Sequence, residues 1–414
     1  MNAFTTLFLT VLAASVALQF WLGSRQMDFV RAHRDGVPEA FRNDVSLKDH
    51  RKAADYAVAK TRLNLVALVV HAALLLGWTI GGGLELLDGL WRATLAAPLA
   101  RGVTVVMSAG LIMALLEMPF SIYGTFRLEE RFGFNRTTPW LFVSDLAKSG
   151  LLLVGIGAPL VWVILRIMEA SGAFWWLYAW LVWMGVSLAQ TWAYPRLIAP
   201  LFNRFTPLDD PSLEARVRRL AKACGFAVKD IFVMDGSRRT AHGNAYLTGL
   251  GANKRIVFFD TLIGSLEGPE VEAVLAHELG HFKRWHVQKF LATSALITLA
   301  GWALLGWLAG QGWFYAGLGV TLPSNHAALI LFVMVAPVFA VFLRPVLSAL
   351  SRRFEYQADA FAAEKSDAGA LITALVKLYR DNASTLTPDP VYSAFYHSHP
   401  PPPLRVRHLE GRAT

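Results

Sequence analysis

The segment VEAVLAHELGHFK, residues 271–283, contains the pattern on which the interpretation of this chain rests. Its His-Glu-x-x-His core places His277 and His281 four residues apart, which on a helix is about 40° around the axis and about 6 Å along it. Two imidazoles at this spacing can bind one metal ion, and zinc suits such ligands. Glu278 follows the first histidine and can act as a general base on a water at an open coordination position. The pattern therefore predicts a helix that carries a hydrolytic zinc site.

A chance match on a surface helix is the alternative, because the chain has 11 histidines. Val271, Leu275 and Leu279 form an apolar stripe at helical spacing, so the helix and its histidines should be at least partly buried. Buried imidazoles need a partner, and a metal ion is the obvious one. Cys224 is the only cysteine and is expected to be a buried apolar residue, so His, Asp and Glu must supply the ligands. We expect one Zn²⁺ per chain.

The segment SRRFEYQAD, residues 351–359, offers candidates for a third ligand. Glu355 and Asp359 are four residues apart on what should be one helix. One of them can bind the metal while the other orients a ligand histidine. The alternative is a solvated acidic face balanced by Arg352 and Arg353.

The composition indicates a membrane protein, since 55% of the residues are hydrophobic and 17% are charged. Apolar segments of about 20 residues, each long enough to cross a bilayer as a helix, occur seven times. They lie near residues 3–23, 63–84, 103–123, 150–168, 174–194, 288–310 and 327–349. The sequence therefore predicts a mainly α, polytopic membrane protein.

The distribution of charge predicts how the chain is oriented. The net charge of +9 is not arranged as a basic stripe with interleaved aromatics, so no nucleic-acid partner is expected. Lys and Arg are concentrated in the loops before the second and fourth crossings and in 195–287, whereas 311–326 contains none. The positive-inside rule then places the N-terminus outside and the zinc motif in the cytoplasm. The Ala-, Leu- and Arg-rich composition suggests a bacterial inner (plasma) membrane.

The crossings divide the chain into four parts. Residues 1–200 form an N-terminal membrane domain with five crossings, and 201–287 form a cytoplasmic zinc-protease segment. Residues 288–349 contain two further crossings, and 350–414 form a C-terminal cytoplasmic segment that completes the site. Within the second part, a helix should begin after Asp210, and strand-like runs occur at 230–235, 244–248 and 254–260. This part is expected to be a small α+β unit.

Several ordered motifs resemble those of a known family over essentially the whole chain. They are ERFGFNR at 130–136, PLFNRFTPL at 200–208, SRRTAHGNAY at 237–246, the zinc motif, SRRFEYQAD at 351–359 and SHPPPPLRVR at 398–407. The chain resembles the type I CAAX prenyl endopeptidases, integral-membrane zinc proteases that cleave the C-terminal tripeptide from prenylated proteins.

The resemblance implies His277, His281 and Glu355 as zinc ligands, Glu278 as the catalytic base and Asp359 as a supporting acidic residue. It also implies that the seven crossings form a hollow bundle around a water-filled chamber. A gluzincin-like zinc domain would cap that chamber.

The resemblance further assigns residues that would contact the substrate. Asn244, Ala245 and Tyr246 look like the edge strand that pairs with an extended peptide. His399 and Arg407 would contact the substrate carboxylate or the oxyanion that forms at the scissile carbonyl. Arg405 competes with Arg407 for this role because of the long proline run at 400–403.

Three polar residues carry weaker signals. His286 is expected to be an interfacial side chain at the start of the sixth crossing. His242 could approach the site, but a loop or capping role is favoured. Glu117 lies inside the third crossing, where a charge usually faces a cavity or a partner.

The predicted reaction is zinc-dependent hydrolysis of a peptide or protein substrate, with or without a lipid, near its C-terminus. A quality-control protease for membrane proteins, with the same chemistry, is the alternative. A catalytically silent membrane chaperone or transport component is a third possibility, but the intact base and ligand set argue against it.

Overall fold

The computed structural model describes residues 2–248 and 254–413. Within these ranges, helices that are long and apolar enough to cross a membrane occur seven times, as predicted. In chain order, the first to seventh membrane helices are Ala3–Ala32, Leu47–Trp78, Pro98–Glu129, Pro139–Ala170, Gly172–Phe202, His286–Leu308 and Asn325–Lys365. The prediction of a mainly helical, polytopic protein is confirmed.

The membrane helices bury little of their surface against one another. In the first six, only 11% to 22% of the most apolar stretch is buried, against 44% in the seventh. The side chains that remain accessible face lipid or the interior of the bundle. Glu117 pairs with His71 of the second membrane helix, and both side chains remain partly exposed. A charged group at this depth fits a wall that contacts water.

The described strands form a four-stranded sheet. The strands are β1 (Phe205–Pro207), β2 (Val228–Met234), β3 (Ala245–Thr248) and β4 (Lys254–Phe259), in the order β1-β2-β4-β3. β2 and β4 are parallel, the other pairs are antiparallel, and β3 lies at an edge. The three predicted strands are present. β1 was not predicted, because a strand of three residues that ends in proline is too short to show the alternation of apolar and polar side chains that is typical of strands.

Shorter helices surround the sheet and cap the bundle. The motif helix spans Gly268–Lys283, and the others are Gly83–Thr94, Pro211–Ala223, Asp260–Ile263, Gly312–Gly317, Ala368–Asp381, Pro390–Tyr396 and Pro402–Ala413. Asp210 caps the predicted helix by accepting hydrogen bonds from the N–H groups of Ser212 and Leu213, at 2.9 and 3.0 Å. Cys224 is buried in the apolar core beneath this helix, as predicted.

The motif helix packs directly against the seventh membrane helix. That helix has 41 residues and is therefore about 60 Å long, about twice the thickness of a hydrocarbon core. Its second half consequently extends out of the membrane. A Cβ added to Gly280 would lie 3.1 Å from Cα of Ala358 and 3.2 Å from Cβ of Phe361. Only glycine lets the two helices touch through their backbones.

We predict that Gly280→Ala destabilises the fold by about 1–3 kcal/mol and reduces the amount of bound metal, because the added methyl group pushes the two helices apart. Thermal unfolding and elemental analysis of the purified protein measure both effects. Gly89→Ala is the matched control, since Gly89 is an exposed helical glycine with nothing within 4 Å of an added Cβ. Wild-type stability and metal content in Gly280→Ala would contradict the prediction.

Candidate metal and peptidase site

The side chains of His277, His281 and Glu355 meet where the motif helix touches the seventh membrane helix. The two histidine Nε2 atoms lie 3.2 Å apart. The carboxylate of Glu355 lies 3.5 Å from Nε2 of His277 and 3.3 Å from Nε2 of His281. One ligand atom from each residue lies within 4.8 Å of the other two. Two nitrogens and one oxygen converging in this way fit a single metal ion with one position left open, as in hydrolytic zinc sites.

Asp359 holds His277 from the opposite side of its ring. Its Oδ1 lies 2.8 Å from Nδ1 of His277, and its side chain is fully buried. Glu355 is also buried, so the alternative of a solvated acidic face is wrong. A proton on Nδ1 of His277 leaves Nε2 free to bind a metal, which is the arrangement that a second carboxylate imposes on a ligand histidine.

Buried charges around His277 and Asp359 shift both pKa values. Burial and Arg405 lower the pKa of His277, but hydrogen bonds to Asp359 and Glu355 outweigh them and raise it to about 9. Burial raises the pKa of Asp359, yet its hydrogen bonds to Arg405 hold that pKa well below the usual range. His277 therefore carries an extra proton at neutral pH in the metal-free protein, and a metal ion must displace it.

The structure places Arg405, and not Arg407, against the site. The Arg405 guanidinium donates two hydrogen bonds to Asp359, of 2.8 Å from Nε and 2.6 Å from Nη2. Arg405 is buried, whereas Arg407 is exposed. The two arginines are two residues apart on the helix Pro402–Ala413, so their side chains point about 200° apart. The placement of Arg407 at the site is corrected to Arg405 for this reason.

Glu278 and His399 lie on the open side of the ligand set. Glu278 is half-buried and lines a cavity of about 710 Å³ together with His277 and His399. Nδ1 of His399 lies 2.7 Å from Oε2 of Glu355, and its side chain is 64% exposed. Arg352 fixes the chain just before His399 by donating hydrogen bonds to backbone carbonyls of residues 393, 394 and 397. The cavity wall therefore combines the carboxylate of Glu278, the exposed imidazole of His399 and one of the three candidate ligands, His277.

The Asn244-Ala245-Tyr246 segment begins at the same cavity and continues into the edge strand β3. The carbonyl of Asn244 accepts a hydrogen bond of 2.9 Å from the N–H of Phe259, and Ala245 lies opposite Phe258. In an antiparallel pair, bonded and non-bonded residues alternate. The N–H and C=O groups of Ala245 and Leu247 therefore point away from β4, toward the free edge.

The residues just before β3 are held by the end of the helix Ala368–Asp381. Asn382 accepts a hydrogen bond of 3.0 Å from the N–H of Gly243 and donates one of 3.3 Å to its carbonyl. His242 stacks on Phe134, with ring centroids 4.3 Å apart, and its Nδ1 lies 3.3 Å from Oδ1 of Asn382. His242 thus has the loop role that was expected, and it also lines the cavity.

His286 is not the interfacial side chain that was expected. It is fully buried, and its Nδ1 lies 3.1 Å from Nδ1 of His281. Its Nε2 lies 2.9 Å from Oε1 of Gln357. The sequence signal for the contact between His286 and His281 is a third histidine five residues after His281. On one continuous helix, residues five apart do not lie on the same face, so this spacing does not predict the contact. Only the turn between the motif helix and the sixth membrane helix brings the two rings together.

Comparison with known proteins yields two family matches in succession. Residues 26–204 match the family described as CAAX prenyl protease N-terminal, five membrane helices, and residues 207–413 match peptidase family M48. The crystal structure of S. mikatae Ste24p is similar over 99% of both chains, with a TM-score of 0.90 and 28% sequence identity.

Curated relatives bear the name CAAX prenyl protease 1 or its homolog. The Arabidopsis thaliana protein is 40% identical over 72% of this chain and 70% of its own length. The Saccharomyces cerevisiae protein is 31% identical over 94% of this chain and 91% of its own. The Homo sapiens protein is 33% identical over 75% and 74%, respectively.

We predict that Arg405→Leu lowers the free energy of unfolding by about 3–5 kcal/mol, because it leaves the buried carboxylate of Asp359 without its counter-charge. Arg407→Leu, on the exposed face of the same helix, should change it by no more than about 0.5 kcal/mol. Denaturant unfolding of both variants is the measurement. Equal effects would show that Arg405 does not hold the buried carboxylate.

Proposed function

The chain belongs to peptidase family M48 and is a membrane metalloendopeptidase of the CAAX prenyl protease type; on that premise we propose that it uses zinc to cleave prenylated or other membrane-associated polypeptides near their C-terminus. The observation that carries the proposal is the convergence of His277, His281 and Glu355 on one point, with His277 and Glu278 on the wall of one cavity. The names of the relatives support a prenylated substrate.

We propose Zn²⁺ as the metal, one per chain, because nitrogen and carboxylate ligands with an open position suit it. His277, His281 and Glu355 would hold the ion, and Asp359 would orient His277. When bound, zinc acts as a Lewis acid that acidifies water and polarises a carbonyl group.

Glu278 would move the protons of the reaction. Its carboxylate follows the first ligand in sequence and faces the cavity, where it can accept a proton from the attacking water. The same carboxyl group can then deliver that proton to the nitrogen of the leaving peptide. No other carboxylate lines this cavity among the described residues.

The substrate would lie extended along β3. The backbone groups of Ala245 and Leu247 face the edge of the sheet and can pair with a peptide by main-chain hydrogen bonds, which position a scissile bond without requiring a particular side chain. The N–H of Ala245 would exchange its 2.8 Å hydrogen bond to Oδ1 of Asn244 for one to the peptide. His399 is exposed beside Glu355 and would donate a hydrogen bond to the oxyanion at the scissile carbonyl. Arg405, which is committed to Asp359, would support the site through that carboxylate.

We also propose the orientation and the membrane. The loop charges support a cytoplasmic site and an external N-terminus, because Lys and Arg concentrate on the motif side of the crossings. The Ala-, Leu- and Arg-rich composition supports a bacterial inner membrane, although the relatives named above are eukaryotic. The four-part division, with a soluble zinc segment at 201–287 completed by 350–414, follows from the same orientation.

We predict that Glu278→Gln lowers the rate of cleavage of a prenylated C-terminal peptide by at least about 10²-fold but leaves the bound zinc unchanged, because glutamine cannot accept the proton. The assay compares purified wild-type and variant protein on the prenylated peptide, its unprenylated twin and an unfolded membrane protein. Cleavage of the unfolded protein alone would favour the quality-control function. No cleavage of any substrate by zinc-loaded wild type would refute the protease proposal.

For the orientation, we predict that an impermeant peptide substrate is cleaved by inside-out membrane vesicles but not by right-side-out ones. Detergent should make the two preparations equally active, which controls for the amount of enzyme. Cleavage by intact right-side-out vesicles would reverse the proposed orientation.

A further inference from the structure

His286 lies at the junction of the three helices that build the site. It is the first residue of the sixth membrane helix and is fully buried, although the indole of the preceding residue, Trp285, is 64% exposed. Its ring stacks on Phe354, with centroids 4.3 Å apart and planes 9° apart. Phe354 and Gln357, which bonds Nε2 of His286, flank Glu355 on the seventh membrane helix. His286 thus contacts both the motif helix and the helix that carries the third ligand.

The hydrogen bonds of His286 have a defined direction. Oε1 of Gln357 can only accept, so Nε2 of His286 donates to it, and in the neutral ring Nδ1 is left with a lone pair. That lone pair accepts the Nδ1–H of His281 at 3.1 Å. Nε2 of His281 is then unprotonated and faces His277 and Glu355. The opposite direction would put a proton on Nε2 of His281, where the metal needs a lone pair.

The backbone before His286 is strained in a way that serves this contact. Trp285 has a φ of 60°, the left-handed conformation that is rare for a bulky residue and usually taken by glycine where a helix ends. The exposed indole gains little from packing there. What the turn achieves is to end the motif helix and bring the ring of His286 back to His281. Strain retained at a site by its surroundings is a sign of function.

We propose that His286 is a positioning residue that holds His281 in the tautomer and orientation required for zinc binding, and that it links this ligand to the helix of Glu355. The proposal rests on the proposed zinc site. His286 would do for His281 what Asp359 does for His277, but with a neutral acceptor in place of a carboxylate. The two ligand histidines are thereby oriented by groups of different charge.

The test is the dissociation constant of zinc, measured on purified full-length protein by competition with a chromogenic chelator. His286→Phe keeps an aromatic ring on Phe354 but removes the acceptor, and we expect zinc to bind about 10- to 100-fold more weakly. His286→Asn can present its Oδ1 close to the position of Nδ1, so most of the affinity should return. Phe290→Leu is the packing control, because Phe290 contacts the same Phe354 ring from the side. It should bind zinc like wild type.

The outcomes separate this proposal from the proposed function. Unchanged affinity in His286→Phe, or an equal loss in Phe290→Leu, would overturn the positioning role while the zinc site stands. Failure of wild type to bind zinc would overturn the zinc site itself. If His286→Phe does not fold, Gln357→Met takes its place, since it frees the tautomer of His286 without removing the ring. We expect Gln357→Met to weaken zinc binding by about 10-fold, and unchanged affinity there would equally overturn the proposal.

Discussion

The site depends on one contact, where the backbone of the motif helix at Gly280 touches the seventh membrane helix at Ala358. His277 and Glu355 are far apart in sequence, and the whole sixth membrane helix lies between them. A side chain at Gly280 would meet backbone atoms at 3.1 to 3.2 Å. Because packed helices ordinarily keep their axes 8–10 Å apart, a glycine at the crossing is what allows short side chains to converge on one ion. Leu279 and Gly280, the two x positions of the His-Glu-x-x-His motif, are therefore not equivalent, because only Gly280 lies at this contact.

Buried charge is the cost of this convergence, and the arrangement keeps it balanced. Asp359 and Glu355 are nearly inaccessible, and an isolated buried ion is penalised by several kcal/mol. In the metal-free protein Arg405 and the protonated His277 supply two positive charges against the two carboxylates. A bound dication would bring further positive charge to this group, and the carboxylate of Glu278 at the cavity wall provides negative charge against it. The base is thus also part of the electrostatic balance.

Local patterns predicted the parts of the molecule that local physics determines. Hydrophobic periodicity, together with the capping and turn residues that bound each segment, predicted the apolar segments, the motif helix, the helix after Asp210 and the three longer strands. What failed depends on tertiary packing. The choice between Arg405 and Arg407 is a choice of helix face, and only the neighbour of that helix decides which face turns inward. His286 was expected at the membrane interface, and its contact with His281 was not predicted, because a left-handed turn at Trp285, which no sequence pattern signals, brings the two rings together.

The position of the cavity relates the chemistry to the membrane. Besides His277, Glu278 and His399 it is lined by Tyr56 and Lys60, near the start of the second membrane helix, and by Tyr396. The cavity therefore lies where the sheet meets the bundle. Hydrolysis needs water, and a peptide that pairs with the edge of β3 must be extended and have free backbone groups. A polypeptide anchored in the bilayer by a lipid or an apolar segment could satisfy both requirements here, since its tethered end would stay in the membrane while its extended end lies along the sheet.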